Sequence, residues 1–147
     1  MATTAPGGTQ AIRRSARAED RGRVSEPGRL FASARRILKG AGRDAANGLH
    51  MSACVGAQRA AVMATEAWLR LEGQPLVSAS VYENVCLAPD AEQDVRESAR
   101  LLDRHRIDEG PHGSAGGGAD SRREAEEAVL AGRRVLEFVE RRMEAAG

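Results

Sequence analysis

Apolar residues recur every three or four positions along most of this chain, which is the spacing of one buried face of an α-helix. A first stretch of this kind covers residues 30–46, and a longer one covers 50–72. Gly73 and Pro75 then mark the end of the second stretch. The last stretch has the most regular apolar face. Its small and apolar residues are Ala125, Ala128, Val129, Gly132, Val135, Leu136, Val139 and Met143.

Two shorter segments between these stretches are also predicted to be helical. Residues 76–88 place valines and leucines near helical spacing, and no adjacent segment could pair with them as a hairpin. A further helix is predicted over 90–107, followed by a glycine-rich loop. Ser121 and Glu124 have the spacing of an N-terminal capping box, so the last helix is predicted to start at Ser121.

The composition supports an all-α protein. Alanine is abundant and aromatic residues make up only 3% of the 147 residues, so helices are favoured over strands. We therefore expect an up-down bundle of four to five helices over residues 29–147. Residues 1–28 have too few apolar side chains to offset the entropy of ordering them, and they are predicted to form a disordered basic arm.

The net charge of +1 is unevenly divided along the chain. Residues 1–43 carry ten basic and three acidic side chains, a net charge of +7, whereas residues 44–147 carry a net charge of −6. A basic arm on an acidic body can bind nucleic acid or an acidic partner, although a solvated tail is the commoner outcome. The sequence shows no helix-turn-helix pattern, which disfavours a DNA-binding regulator.

The remaining chemistry-bearing residues indicate no cofactor. Cys54 and Cys86 lack a CxxC spacing and are predicted to be buried free thiols of a reducing compartment, so we expect a cytoplasmic protein. The three histidines lack metal-ligand spacing, and the glycine run at 116–118 lacks the lysine of a phosphate-binding loop. We expect no metal ion, and no apolar run approaches the length of about 18 residues that a membrane span needs.

Candidate chemistry concentrates in the segment ARLLDRHRIDEGPHG, residues 99–113. It places Arg104, His105, Arg106 and His112 within nine residues, where a helical pattern breaks. Arginine binds phosphate groups through two parallel hydrogen bonds, and histidine transfers protons near neutral pH. This combination favours chemistry on an RNA backbone.

Three features in this order resemble the HEPN domain family. They are the segment LHMSACVGAQRAAVMATEAWLRLEGQ, the closing segment REAEEAVLAGRRVLEFVERRM, and an arginine followed by a histidine at the helix end between them, over residues 30–144 in all. The resemblance implies a helical bundle that is usually dimeric. In many members, paired arginine–histidine motifs at the dimer interface form a metal-independent ribonuclease site. Such members are often toxins paired with a nucleotidyltransferase-like antitoxin, whereas others are non-catalytic interaction modules.

The family motif has an arginine, usually a polar residue, and a histidine after four to six intervening positions, and two registers compete for it here. Arg106 and His112 have five residues between them, but Ile107 stands where a polar residue is expected. Arg104 is followed by a polar residue but has seven residues between it and His112. On a helix, Arg106 lies about 40° from the apolar Leu102 and Arg104 about 160° from it. We favour Arg106 with His112, with Arg104 oriented towards water.

The resemblance implies a role for each of these residues. His112 would move the proton and Arg106 would hold the phosphate, while Arg104 and His105 would bind substrate or assist. Glu66, on the central helix, would approach the motif arginine and orient it. Each role has a purely structural alternative. Arginines near a helix C-terminus stabilise the helix dipole, and Glu66 could form an ion pair with Arg59 or Arg70.

Two functions therefore follow from the sequence. The first is a homodimeric ribonuclease acting on RNA, with a nucleotidyltransferase-like antitoxin as its partner if it is a toxin. The second is a non-catalytic adaptor that binds a protein or nucleotide through a second apolar face of the central helix, formed by Val55, Val62 and Leu69 at seven-residue spacing.

Overall fold

The part of the chain that the structure describes folds into four long helices and one short helix. A computed structural model describes residues 25–74, 79–106 and 119–146. Within these ranges the helices are α1 (Glu26–Ala46), α2 (His50–Leu71), α3 (Val81–Val85), α4 (Gln93–Asp103) and α5 (Ala119–Ala146), and no strand occurs among them. The all-α prediction is confirmed.

Helix α1 begins at Glu26, four residues before its predicted start. Ser25 caps it by accepting a hydrogen bond from the Gly28 backbone N–H at 3.1 Å, and Pro27 stands in the first turn, where its missing N–H costs nothing. The boundary between the predicted arm and the bundle therefore moves to residue 25. The prediction of disorder for the arm otherwise concerns residues 1–24, which lie outside the described residues.

A tight hairpin joins α1 to α2 and makes them antiparallel. Gly48 takes a backbone φ of 82°, a conformation that a side chain disfavours, and the Leu49 N–H then donates to the Asp44 carbonyl at 2.8 Å. The Ser52 hydroxyl donates to the Asp44 carboxylate at 2.8 Å across the same hairpin. Helix α2 ends at Leu71, and Gly73 follows with a φ of 75°, as the sequence predicted for a terminating glycine.

The direction of the other helices follows from contacts at their two ends. Trp68 of α2 meets Phe138 of α5 edge to face with the ring centroids 6.0 Å apart, which places the end of α2 beside the second half of α5. Asp90, just before α4, pairs with Arg142 near the end of α5. Helix α4 therefore runs antiparallel to α5, and the four long helices form the predicted up-down bundle.

Helix α2 is the centre of the bundle. It packs against all four other helices, and most of its length is buried. Leu69 is fully buried within the chain itself, so the predicted second apolar face of α2 is covered by its own neighbours at that position. Val55 and Val62 of that face are only half-buried.

The core is built mostly from small side chains. Half of the buried apolar residues in the described ranges are alanines, and glycines occur where helices approach most closely. A Cβ atom on Gly56 of α2 would lie 3.2 Å from the Cβ of Ala41 of α1. A Cβ on Gly132 of α5 would lie 2.7 Å from a methyl carbon of Leu38. The helices can pack at these positions because the side chain is absent.

The remaining helix boundaries differ from the predictions. Helix α3 is much shorter than the predicted 76–88, α4 ends at Asp103 instead of Ile107, and α5 starts at Ala119. Ser121 therefore lies inside α5, and the predicted capping box at that residue is wrong. A local sequence match did not determine this helix start.

Candidate functional site

The basic cluster predicted from the sequence lies at the C-terminal end of α4. The helix stops at Asp103, and the next three residues form a tightened turn. Backbone N–H groups of Arg104, His105 and Arg106 donate to carbonyls three residues earlier, at 3.2, 2.9 and 3.4 Å. These are the shorter-range bonds that often close a helix end. The three side chains therefore project from a turn and not from a continuing helical face.

The three side chains differ in exposure. Arg104 is exposed, whereas His105 and Arg106 are half-buried. Burial lowers the pKa of His105 below its ordinary value, nearby Glu124 raises it in part, and Arg104 lowers it. The net shift favours a neutral imidazole at neutral pH.

The other half of the predicted pair, His112, lies outside the described residues, so its pairing with Arg106 stays a prediction. The structure does give the position of Arg106, which is half-buried at the point where the chain leaves α4. Arg106 thus lies just beyond a helix end, and its assignment as the motif arginine stays a prediction.

Glu66 lies in a different charged environment. Its carboxylate accepts from the Arg70 guanidinium at 2.7 Å, one turn along α2, and Arg70 also pairs with Glu26 at the start of α1. This is the structural ion pair that the sequence offered as the alternative for Glu66. The orienting role of Glu66 towards the motif arginine remains a prediction that none of these contacts supports.

Glu66 lies in the second half of α2, beside Thr65, whose hydroxyl accepts from Asn84 of α3. Glu124 of α5 raises the pKa values of both Cys54 and His105, so α2 approaches the basic cluster near Cys54. Glu66 lies twelve residues further along the helix, a distance of about 18 Å at 1.5 Å per residue. We call the part of the bundle around Arg104, His105 and Arg106 the basic end.

The opposite part of the bundle is rich in ion pairs, and we call it the ion-paired end. Its pairs are Arg70 with Glu26 and Glu66, Arg142 with Asp90, and Arg35 with Glu140. The Arg142 guanidinium also lies over the Trp68 ring, 5.6 Å from its centroid. These arginines are therefore matched by carboxylates of the same chain.

The sequence interpretation missed Asp103 and Ser80. The Asp103 carboxylate accepts from the Ser80 hydroxyl at 2.7 Å and from the backbone N–H groups of Val81 at 2.8 Å and Tyr82 at 3.1 Å. Ser80 also caps α3 by accepting from the Glu83 N–H at 3.1 Å. The spacing of Ser80 and Glu83 is that of a capping box, a signal that could have located the start of α3. No local signal joins Ser80 to Asp103.

The cysteines are free, as predicted, but only one is buried. Cys54 is buried and Cys86 is exposed, which corrects the prediction for Cys86. Burial, with a contribution from Glu124, raises the pKa of the Cys54 thiol to about 11. Among the described residues, no three His, Cys, Asp or Glu side chains are grouped so that they could hold a metal ion.

Apolar side chains are exposed at the start of α2. Met51 is 65% exposed and Leu49 is 55% exposed, and the half-buried Val55 and Val62 continue along the same side of the helix. No described helix is both long enough and apolar enough to cross a membrane. The exposed apolar residues at this end are available to another protein surface.

Comparison with known proteins gives a consistent result. Residues 28–142 match the sequence profile of the HEPN domain. The fold is similar to the crystal structure of TT1696 from Thermus thermophilus, with 29% identity, a TM-score of 0.68, and coverage of 81% of this chain and 99% of that one. No curated protein matches the chain.

Two further solved structures share the fold. The first is ST0689, an archaeal HEPN homologue, at 20% identity and a TM-score of 0.67, covering 82% of this chain and 99% of that chain. The second is a HEPN domain protein, tm0613, from Thermotoga maritima, at 22% identity and a TM-score of 0.65, covering 77% of this chain and 95% of that chain. At these identities the likeness is one of fold.

Proposed function

The chain belongs to the HEPN domain family, and we propose that it is a metal-independent ribonuclease that acts as a homodimer through Arg106 and His112. The observation that supports this proposal is the position of Arg106. It is half-buried at the end of α4, beside the exposed Arg104 and the half-buried His105. A guanidinium in that position can bind a phosphate group while its neighbours bind the flanking backbone.

The acidic side chain of the turn is bonded to groups at the start of α3. Asp103 is the only acidic residue between positions 98 and 106, and its carboxylate accepts hydrogen bonds from neutral donors at the start of α3. Both carboxylate oxygens are engaged in these bonds. The acidic residue of the turn is therefore bonded to α3, and Arg104 and Arg106 follow it in the sequence.

The proposed reaction needs one proton acceptor, one proton donor and a cation. One histidine takes the proton from the RNA 2′-hydroxyl, and the 2′-oxygen attacks the adjacent phosphorus. The bond from phosphorus to the 5′-oxygen breaks, and a second histidine protonates that leaving oxygen. The products are a 2′,3′-cyclic phosphate and a 5′-hydroxyl end. Arg106 offsets the negative charge that develops on the phosphate oxygens.

A homodimer supplies the two histidines, one His112 from each protomer. The exposed side of α2 that carries Met51, Val55 and Val62 is the apolar surface on which we place the second protomer. It belongs to the same part of α2 as Cys54, which lies near the basic end. Arg104, exposed beside Arg106, would bind the substrate outside the reacting phosphate.

The test is RNA cleavage in the presence of EDTA. Wild-type protein should generate 2′,3′-cyclic phosphate ends, and Arg106→Ala and His112→Ala should each lower turnover at least about 100-fold. Arg104→Ala distinguishes the two registers and should mainly raise KM. Arg141→Ala, which removes an exposed arginine near the end of α5, is the charge-matched control and should cleave normally. Absence of cleavage by concentrated wild-type protein would refute the proposal.

A non-catalytic adaptor is the second candidate, and the exposure of Leu49 and Met51 favours it. In that case Met51→Asp or Val62→Asp should abolish an assembly, while His112→Ala should change nothing. Leu69→Asp is unsuitable for this test because Leu69 is fully buried and the variant would unfold. Size-exclusion chromatography with light scattering measures the assembly, and a folded monomer for wild type and variants alike would exclude both assemblies.

The cellular role follows from the chosen activity. A ribonuclease of this kind would act on RNA in the cytoplasm, where the free thiols of Cys54 and Cys86 are stable. As a toxin it would need an antitoxin, and we propose that the antitoxin is a nucleotidyltransferase-like protein. Co-expression with the product of a neighbouring reading frame, followed by pull-down and a growth assay, tests this pairing.

A further inference from the structure

We propose that Asp103 is a positioning residue for the Arg106 site, because its carboxylate fixes the backbone from which Arg106 projects. The inference rests on the proposed function, since it assigns to Asp103 an effect on the geometry of a phosphate-binding arginine. Asp103 does not itself contact the substrate in this proposal. It acts through the turn that follows it.

Asp103 joins two segments that are more than twenty residues apart in sequence. One carboxylate oxygen accepts from the Val81 N–H, and the other accepts from both the Ser80 hydroxyl and the Tyr82 N–H. Hydrogen bonds to an ionised carboxylate are shorter and stronger than those between neutral groups. The end of α4 is therefore held at the first turn of α3 by three directed bonds.

The first turn of α3 is in turn fixed to the centre of the bundle. Val81 and Val85 are fully buried, and the buried Asn84 side-chain amide donates to the Thr65 hydroxyl of α2 at 3.3 Å. A helix of five residues has little stability of its own. Its position depends on these contacts, so Asp103 transmits the position of α2 and α3 to the end of α4.

Arg106 lies only three residues beyond this anchor. Leu102 is fully buried beside Asp103, and the N–H of Arg106 donates to the Asp103 carbonyl. A change in the direction of the Asp103 backbone therefore moves the Arg106 backbone directly. A misplacement of about 1 Å at a catalytic group can lower a rate by roughly 100-fold.

The decisive variant is Asp103→Asn, which keeps the size of the side chain. Its single oxygen can replace only part of the acceptor set, and its NH₂ group would face a backbone N–H donor. Ser80→Ala is a companion that removes one of the three bonds, together with the cap that Ser80 provides for α3, and leaves the carboxylate intact. Asp90→Asn, which alters an exposed carboxylate at the ion-paired end, is the matched control.

The first measurement is NMR of protein labelled with ¹⁵N-arginine, which does not depend on catalysis. Asp103→Asn should shift the backbone amide and side-chain Nε signals of Arg106 and lower their heteronuclear NOE values. Ser80→Ala should give a smaller change in the same direction, and Asp90→Asn should leave these signals unchanged. Unchanged Arg106 signals in a folded Asp103→Asn protein that merely melts earlier would show that Asp103 only caps α3. If Asp103→Asn fails to fold, the same comparison is decided with Ser80→Ala.

The second measurement is RNA cleavage by the same proteins. Turnover should fall about 10- to 100-fold in Asp103→Asn with a much smaller change in KM, because the loss concerns the transition state. An unchanged turnover beside an active wild type would overturn the positioning role. If the wild type itself does not cleave RNA, the ribonuclease proposal fails, and the Arg106 signals still decide whether Asp103 positions that side chain.

Discussion

The two ends of the bundle differ in how their charged residues are bonded, although the start of α5, near the basic end, also carries the exposed pairs Arg122–Glu126 and Arg123–Glu127. At the ion-paired end, Arg70 and Arg142 contact carboxylates of other segments. At the basic end, Asp103 accepts from neutral donors, although two arginines follow it within three residues. A carboxylate engaged in this way compensates its cationic neighbours less than a directly paired one does. The direction in which an acidic side chain is bonded therefore matters as much as its presence.

The largest expected effect is a loss of stability caused by a substitution at the ion-paired end. Trp68→Ala should lower the free energy of unfolding by about 3–5 kcal/mol, because a fully buried aromatic side chain is removed from its contact with Phe138. The measurement is denaturant unfolding followed by far-UV circular dichroism. Leu71→Ala, at a 37% exposed position of the same helix, is the control and should cost far less. A change in the turnover of the folded fraction would show that packing at the ion-paired end also affects the basic end.

The next effect concerns alkaline pH and Cys54 near the basic end. Its folded-state pKa is raised from an ordinary 9.0 to about 11, so the unfolded chain loses this proton more readily. Stability should therefore fall as pH rises from about 9 to 11, by up to about 2–3 kcal/mol at 1.4 kcal/mol per pKa unit. Cys54→Ala should remove this component, as measured by urea unfolding across the pH range. Cys86→Ala, at an exposed thiol, should retain it.

A smaller effect at acid pH tests the environment of His105. Since burial lowers its pKa in the folded state, the unfolded chain binds the proton more readily as pH falls below about 6.5. The His105 contribution should thus make the protein less stable over that fall, and His105→Gln should flatten the stability curve there. His50→Gln is the control for loss of a histidine elsewhere. An identical slope for His105→Gln and wild type would contradict the burial described here.

The smallest effect is expected from the surface ion pairs themselves. Arg142→Gln should cost less than about 1 kcal/mol from lost pairing with Asp90, because exposed pairs are screened by solvent. The adjacent Arg141→Gln, at an exposed position, is the control. Thermal unfolding at low and high salt gives the loss of stability for each variant, and the difference between the two losses should shrink at high salt. A difference that persists at high salt would identify the packing of Arg142 on Trp68 as its cause.

The sequence predicted those parts of the fold that depend on local pattern. The long helical stretch over residues 50–72, the glycine that ends it and the regular apolar face of α5 all appear where the periodicity predicted them. The errors arise where a contact between distant segments decides the outcome. Asp103 ends α4 beside Ser80, and Leu69 is buried because neighbouring helices cover both sides of α2. Neither contact leaves a signal within one helical segment.

The site was predictable to a lesser extent. The sequence identified the cationic cluster, but its preference for Arg106 over Arg104 assumed a helix through both residues, whereas α4 ends at Asp103, so the choice between them stays a prediction. It did not identify the residue that fixes the turn, because an aspartate among arginines suggests an ordinary ion pair. Glu66 illustrates the converse, since its sequence position was compatible with the site and its structural partner is Arg70.

An alanine-rich interior has a consequence for how this protein can diverge. Alanine loses no rotamer freedom on burial, but positions such as Ala57 and Gly56 also offer no spare volume to a larger side chain. Substitutions along the buried helix faces therefore destabilise the fold and are removed by selection, while the helix ends and connections can vary. New specificities in descendants of this chain should accumulate at those ends, with the interhelical spacing inherited almost unchanged.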